Sequence, residues 1–146
     1  MTIYFDNAAT TKVFPEVMSV MEDAMNVSYG NPSAKHRKGM EAENLIKEAQ
    51  ETIAKSLKAK PKEIFFTSGG TESNNTAIIG TALANKRKGK HIITSRIEHA
   101  SVYEPIAFLE DLGFEITYLN VDSKGQILLE ELETAIRPEL AHDRFV

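Results

Sequence analysis

The chain has 146 residues, 42% of them apolar and 26% charged, a balance that gives one ordinary domain with a sizeable core and excludes a disordered polypeptide. Its net charge of −4 comes from 17 basic and 21 acidic residues with no basic stripe, and no apolar run approaches the roughly 20 residues that span a bilayer, so neither nucleic acid nor a membrane is an expected partner. The absence of cysteine removes disulfides, thiolate metal sites and a thiol nucleophile from these residues, and Met1-Thr2-Ile3-Tyr4-Phe5-Asp6 lacks the pattern of a secretory leader, so the expected location is cytoplasmic.

Residues 2 to 14 read as an extended arm that passes into a shaped loop, because Asp6-Asn7-Ala8-Ala9-Thr10-Thr11 suits neither strand nor helix. Pro15 fits a first helical turn, and Val17, Met18, Met21 and Met25 recur at helical spacing to about Asn26, a stripe expected to be core. Tyr29-Gly30-Asn31-Pro32-Ser33 is a turn by composition. A long helix is expected from about Ala34 to Leu57, with Ala42, Leu45, Ile46, Ala49, Ile53 and Leu57 on one stripe and a solvated face of lysines and glutamates, before Pro61 stops it.

Alternation follows. A strand is expected over Glu63–Thr67, a helix from about Thr71 to Lys86, a strand over His91–Ser95, and a helix from about Ala100 to Leu112 that Gly113 is placed to end. A third strand over Phe114–Val121 leads through the turn Asp122-Ser123-Lys124-Gly125 to a short helix over about Leu129–Ile136. Strands alternating with helices of this length predict βαβ units and a parallel sheet, an α/β fold. The cations of Lys86-Arg87-Lys88-Gly89-Lys90 sit where a helix ends and complement its carbonyl pole.

Two places could carry chemistry. At Thr67-Ser68-Gly69-Gly70-Thr71-Glu72 a strand is expected to hand over to a helix, presenting amides, hydroxyls and the positive dipole end to one point. This is either a cup for a phosphate or carboxylate or a plain turn whose glycines only allow tight geometry. It has neither the lysine of a P-loop nor the spaced glycines of the dinucleotide fingerprint, so a small phosphorylated cofactor suits it better than a nucleotide. His99, just beyond the second expected strand, lies where ligands bind in open α/β sheets; it is either a ring-stacking proton carrier or an ordinary residue at a helix start. Glu72 and Glu98 are explained by dipole preference in a first turn. His36, His91 and His142 have no metal-site partner in the sequence, and no metal is expected.

Four pieces together resemble cysteine desulfurases of the NifS/IscS type, in the aminotransferase class V family of fold-type I pyridoxal-phosphate enzymes: Tyr4-Phe5-Asp6-Asn7-Ala8-Ala9-Thr10-Thr11, Tyr29-Gly30-Asn31-Pro32-Ser33 with His36, Phe66 through Asn74, and His91-Ile92-Ile93-Thr94-Ser95 through Glu98-His99. The resemblance runs over about residues 2 to 140. It implies the N-terminal part of the aspartate-aminotransferase-like large domain. Gly70 and Thr71 would hold the phosphate of pyridoxal 5'-phosphate, His99 would stack on its ring and take part in proton transfer, and Asn7 to Thr10 would lie near the active-site mouth. The implied reaction takes sulfur from L-cysteine, giving alanine and a persulfide for iron–sulfur cluster assembly, with nitrogenase clusters as one destination. A homodimer and an iron–sulfur scaffold protein as sulfur acceptor are the implied partners.

The family's cofactor-anchoring lysine, the aspartate facing the pyridine nitrogen, the sulfur-accepting cysteine and the substrate-binding arginine have no counterpart here, and the pattern is lost from Ala141 onward. The expectation is an arm and helical segment over residues 1–60, an incomplete cofactor domain over 61–146, and no activity from these residues alone. In the related domain the first strand pairs with one outside this chain, so the second and third strands should pair while the first stays without a neighbour. A truncated interaction or dimerisation module, and another class V activity such as a selenocysteine lyase or aminotransferase, are the alternatives.

Overall fold

The computed structural model describes residues 3–136; the expected change of pattern after Ala141 lies outside them. Contacts divide the chain into two compact units, Met1–Phe65 and Phe66–Val146.

In the first unit, Tyr4 folds the arm onto itself. Its hydroxyl donates to Asp6 O at 3.0 Å and meets the Thr10 hydroxyl, while the Ala9 and Thr10 amides close on the same carbonyl. Helix α1 (Pro15–Asn26) starts on proline, whose missing donor costs nothing at a first helical position. The methionine stripe departs from expectation. Val17, Met18, Met21 and Met25 are between 45% and 68% exposed, and α1 buries no residue. Helical periodicity reveals an apolar face; it does not supply the surface that covers it.

Helix α2 (Arg37–Leu57) begins later than expected because His36 has extended backbone and its Nδ1 accepts the Gly39 amide at 3.2 Å. The turn before it is pressed against its first residues. A Cβ at Gly30 would fall closer than 3.0 Å to the Lys38 carbonyl, and one at Gly39 closer than 3.0 Å to the carbonyls of Ala34 and Asn31, so both close approaches require glycine. Lys38 Nζ reaches back to Val27 O at 3.0 Å. Ala42 and Ala54 are buried, but Leu45, Ile46, Ile53 and Leu57 on the same stripe remain exposed.

The strand expected over Glu63–Thr67 does not form. Pro61–Glu63 is a single 3₁₀ turn, closed by Glu63 Oε2 accepting the Lys60 amide at 2.8 Å. Ile64 is extended, and its carbonyl accepts Gln50 Nε2 of α2 at 3.0 Å rather than an amide of a neighbouring strand. A strand requires a ladder partner, and among the described residues this segment has none, leaving Phe65 81% exposed.

The second unit is α3 (Gly70–Asn85), β1 (His91–Ser95), α4 (Ala100–Asp111), β2 (Glu115–Leu119) and α5 (Leu129–Ala135). Strands β1 and β2 pair in parallel from His91 opposite Glu115 to Ser95 opposite Leu119, the pairing expected of the second and third strands. Helix α4 makes the crossover between them and packs along α3. Its buried residues Ser101, Pro105, Ile106 and Leu109 form one stripe, and with Phe114 and Leu119 they make the core. Pro105 lies inside α4 and lacks the amide that would bond the Ser101 carbonyl. Gly113, at φ +82°, ends the α4 segment in the left-handed region.

No helix among the described residues is long and apolar enough to cross a membrane.

Candidate functional site

Thr67 and Ser68 shape the entry to α3. The Thr67 hydroxyl donates to Gly69 O at 3.1 Å, so the Ser73 hydroxyl is the donor in its 2.6 Å contact with Thr67 Oγ1. Glu72 folds back over the turn, and its Oε2 accepts both the amide and the hydroxyl of Ser68 at 2.6 Å. The Ser68 hydroxyl, and after it the Ser68 amide, hold the Glu72 carboxyl below the usual carboxylate range.

The first bond inside α3 runs from the Ser73 amide to Gly69 O at 3.1 Å. Ahead of it, the amides of Gly70, Thr71 and Glu72 and the Thr71 hydroxyl have no partner among the described residues. Positions 69 and 70 have open space where a side chain would stand. A ligand oxygen can therefore approach the backbone directly at the positive end of a 16-residue helix.

His99 caps α4. Its backbone is extended, and Nδ1 accepts the Ser101 amide at 3.1 Å while lying 2.9 Å from Ser101 Oγ. Ser101 Oγ in turn lies 2.9 Å from Asn74 Nδ2 in α3. The N-termini of α3 and α4 are thus joined by side chains, which brings Gly70 and Thr71 to the same end of the helix pair as His99. Before α4, Glu98 Oε1 accepts the hydroxyl of buried Ser95 at 2.7 Å, which fixes the turn leaving β1. Asn7 to Thr10 form their own turn in the first unit. Asn74 and Ser101 are functional candidates that sequence reasoning passed over, since a serine at the second position of a helix carries no signal of its contact with the preceding histidine.

This donor set fits a phosphorylated aromatic cofactor such as pyridoxal phosphate, with unused amides and a hydroxyl for an anion and an exposed imidazole nearby. A second concavity, of about 530 Å³ between β2 and α5, is lined by Glu130 and Glu131 with Thr117, Leu119, Thr134 and Ala135 and suits no anion. Among the described residues no group of His, Asp and Glu side chains could hold a metal ion.

The family described as aminotransferase class-V matches residues 3–142. The chain is 53% identical over 137 residues to the cysteine desulfurase IscS of Dictyoglomus turgidum, covering 94% of this chain and 35% of that protein. Identity to the protein of the same name from Methanosarcina thermophila is 49%, over 94% of this chain and 34% of the relative. Among solved structures, a NifS-like protein superimposes with a TM-score of 0.89 at 41% identity, over 95% of this chain and 38% of that one. A structure described as SspA in complex with cysteine gives 0.85 at 46%, over 94% and 40%. The chain thus spans about a third of the length of these curated relatives, and its fold is the N-terminal part of the NifS-like α/β fold. The chain belongs to the aminotransferase class-V family.

Proposed function

We propose that this chain supplies the N-terminal share of the cofactor site of a pyridoxal-phosphate-dependent cysteine desulfurase. What supports the proposal is the joining of the first turns of α3 and α4 through Asn74 and Ser101, which leaves the unused amides of α3 and the His99 imidazole at one end of the helix pair. Pyridoxal phosphate presents a phosphate and an aromatic ring, and relatives bearing the desulfurase name match over this stretch. When bound, it supplies an electron sink for chemistry at an amino acid. The amides of Gly70 and Thr71 and the Thr71 hydroxyl would hold its phosphate. His99 would flank its ring and would hold or move a proton at Nε2.

The overall change is balanced. The C–S bond of L-cysteine breaks, its β-carbon gains a proton to give L-alanine, and the sulfur forms an S–S bond with an acceptor thiol, leaving a persulfide. These 146 residues contain no cysteine, so that thiol comes from outside them, and alone they are expected to release no sulfur. From the family resemblance the reading extends to a homodimer, an iron–sulfur scaffold as sulfur acceptor and a cytoplasmic setting.

The test joins these residues to the remaining length of a relative in the family and supplies the product with pyridoxal phosphate. Alanine formation from L-cysteine with stoichiometric persulfide is expected, and Thr71→Val is expected to weaken cofactor retention by roughly ten- to 150-fold, the worth of one hydrogen bond to a charged group. Turnover of selenocysteine alone, or amino transfer to an oxo acid, would replace desulfuration with another class V activity.

A further inference from the structure

The polar chain behind His99 has a direction that a single backbone group fixes. The Ser101 amide cannot be turned round, and it donates to His99 Nδ1 at 3.1 Å, so Nδ1 carries no proton. The Ser101 hydroxyl, 2.9 Å from the same nitrogen, can then only donate to it. That leaves Ser101 Oγ to accept, and the donor is Asn74 Nδ2 at 2.9 Å. Ser101 is 8% exposed, so water competes little for these bonds. Asn74 stands four residues beyond Gly70 on α3, the helix whose first turn carries the unused amides.

We infer that Asn74 and Ser101 are positioning residues that hold His99 as the Nε2–H tautomer and tie its ring to the first turns of α3, so that Nε2 is the one ring nitrogen left open to a ligand. The inference rests on the proposed cofactor site for its purpose, but the tautomer itself exists without cofactor and is read separately. Histidine function depends on which nitrogen carries the proton, and here the neighbouring bonds make that choice in advance. Asparagine matters at position 74 because its amide nitrogen donates. A carboxylate there would only accept, and it would draw the Ser101 hydroxyl away from His99.

The test is the ring-nitrogen NMR spectrum of the chain labelled with ¹⁵N-histidine, at low temperature and without cofactor, with His99 identified by the signals lost in His99→Gln. The parent should show protonated Nε2 and bare Nδ1. Ser101→Ala and Asn74→Asp should each lower the ratio of the two tautomers by roughly two- to tenfold, the worth of one neutral hydrogen bond, while Ser101→Thr retains it. His36, whose Nδ1 accepts the Gly39 amide, serves as an internal reference that these substitutions leave unchanged. A His99 protonated at Nδ1 or averaging between tautomers in the parent would overturn the inference, as would a ratio indifferent to both Ser101→Ala and Asn74→Asp. Failure of pyridoxal phosphate to bind, with the tautomer as described, would count against the cofactor site and leave the positioning role standing.

Discussion

Glu72 Oε2 takes both the amide and the hydroxyl of Ser68 at 2.6 Å, so the acidic residue of the α3 entry is committed to shaping the turn and is held there as a carboxylate. Its carboxyl is held below the ordinary range, which means the latch adds stability above the unfolded-state carboxylate pKa and loses it as pH falls through the lower folded value. Glu72→Gln weakens the latch at neutral pH. Hydrogen exchange at the Ser68 amide is the measurement: it should speed up in Glu72→Gln at pH 7, while the two proteins converge in acid. Equal protection at neutral pH would contradict this.

Gly39→Ala should destabilise the chain even though alanine is the better helix former. The propensity gain is at most about 1 kcal/mol, whereas the new Cβ meets two backbone carbonyls, of Ala34 and Asn31, that cannot swing aside. Overpacking of that kind costs about 1–3 kcal/mol, so the net change is a loss, read by urea titration against the parent chain. A gain would show that the turn moves away freely.

Glu131 anchors α5 to the end of β2. Its carboxylate accepts the Asn120 amide at 2.8 Å and the Asn120 side chain at 2.9 Å, and Arg96 Nε donates to the same asparagine at 3.0 Å. The Asn120 side chain first, and then its backbone, lower the Glu131 pKa. The contribution is therefore present above the unfolded carboxylate pKa and lost as pH falls through the folded one. Amides of α5 should lose protection in acid before those of β1, and Asn120→Ala should produce that loss at neutral pH. Simultaneous loss in both elements would contradict the anchor.

Low stability of these residues alone follows from their uncovered apolar surface. The stripe of Val17, Met18, Met21 and Met25 lies open on α1, and Phe65 and Phe66 lie open on an extended segment without a ladder partner. The expected melt is broad and low, with dye binding before the transition. A sharp transition of a soluble monomer would contradict it.

Local signals placed most of the elements. Pro15, Gly113 and the apolar runs around Ile92 and Ile116 gave α1, the end of α4 and the two paired strands within a residue or two. The misreadings share one cause, which is that pattern carries no knowledge of neighbours. Ile64-Phe65-Phe66 has the composition of a strand but pairs with nothing among the described residues, and the methionine stripe has helical period without a covering surface. Histidine is not a usual capping residue, yet His36 and His99 both cap helices through Nδ1, which delayed the start of α2 and hid the partner of His99. The turn for which we propose an anion site was legible in Ser68-Gly69-Gly70-Thr71. Its link to His99 was not, because Asn74 and Ser101 lie 27 residues apart and only the packing of α3 on α4 brings them together.

The most direct measurement of the central claim is a titration of the ¹⁵N-labelled chain with pyridoxine 5'-phosphate, which has the cofactor's ring and phosphate but no aldehyde to react with surface lysines. Saturable shifts centred on the Gly70 and Thr71 amides and on the His99 ring are predicted, with inorganic phosphate competing at the two amides and leaving the ring unmoved. Shifts centred elsewhere, or none that saturate, would contradict the assignment of this helix pair as the cofactor's phosphate and ring site.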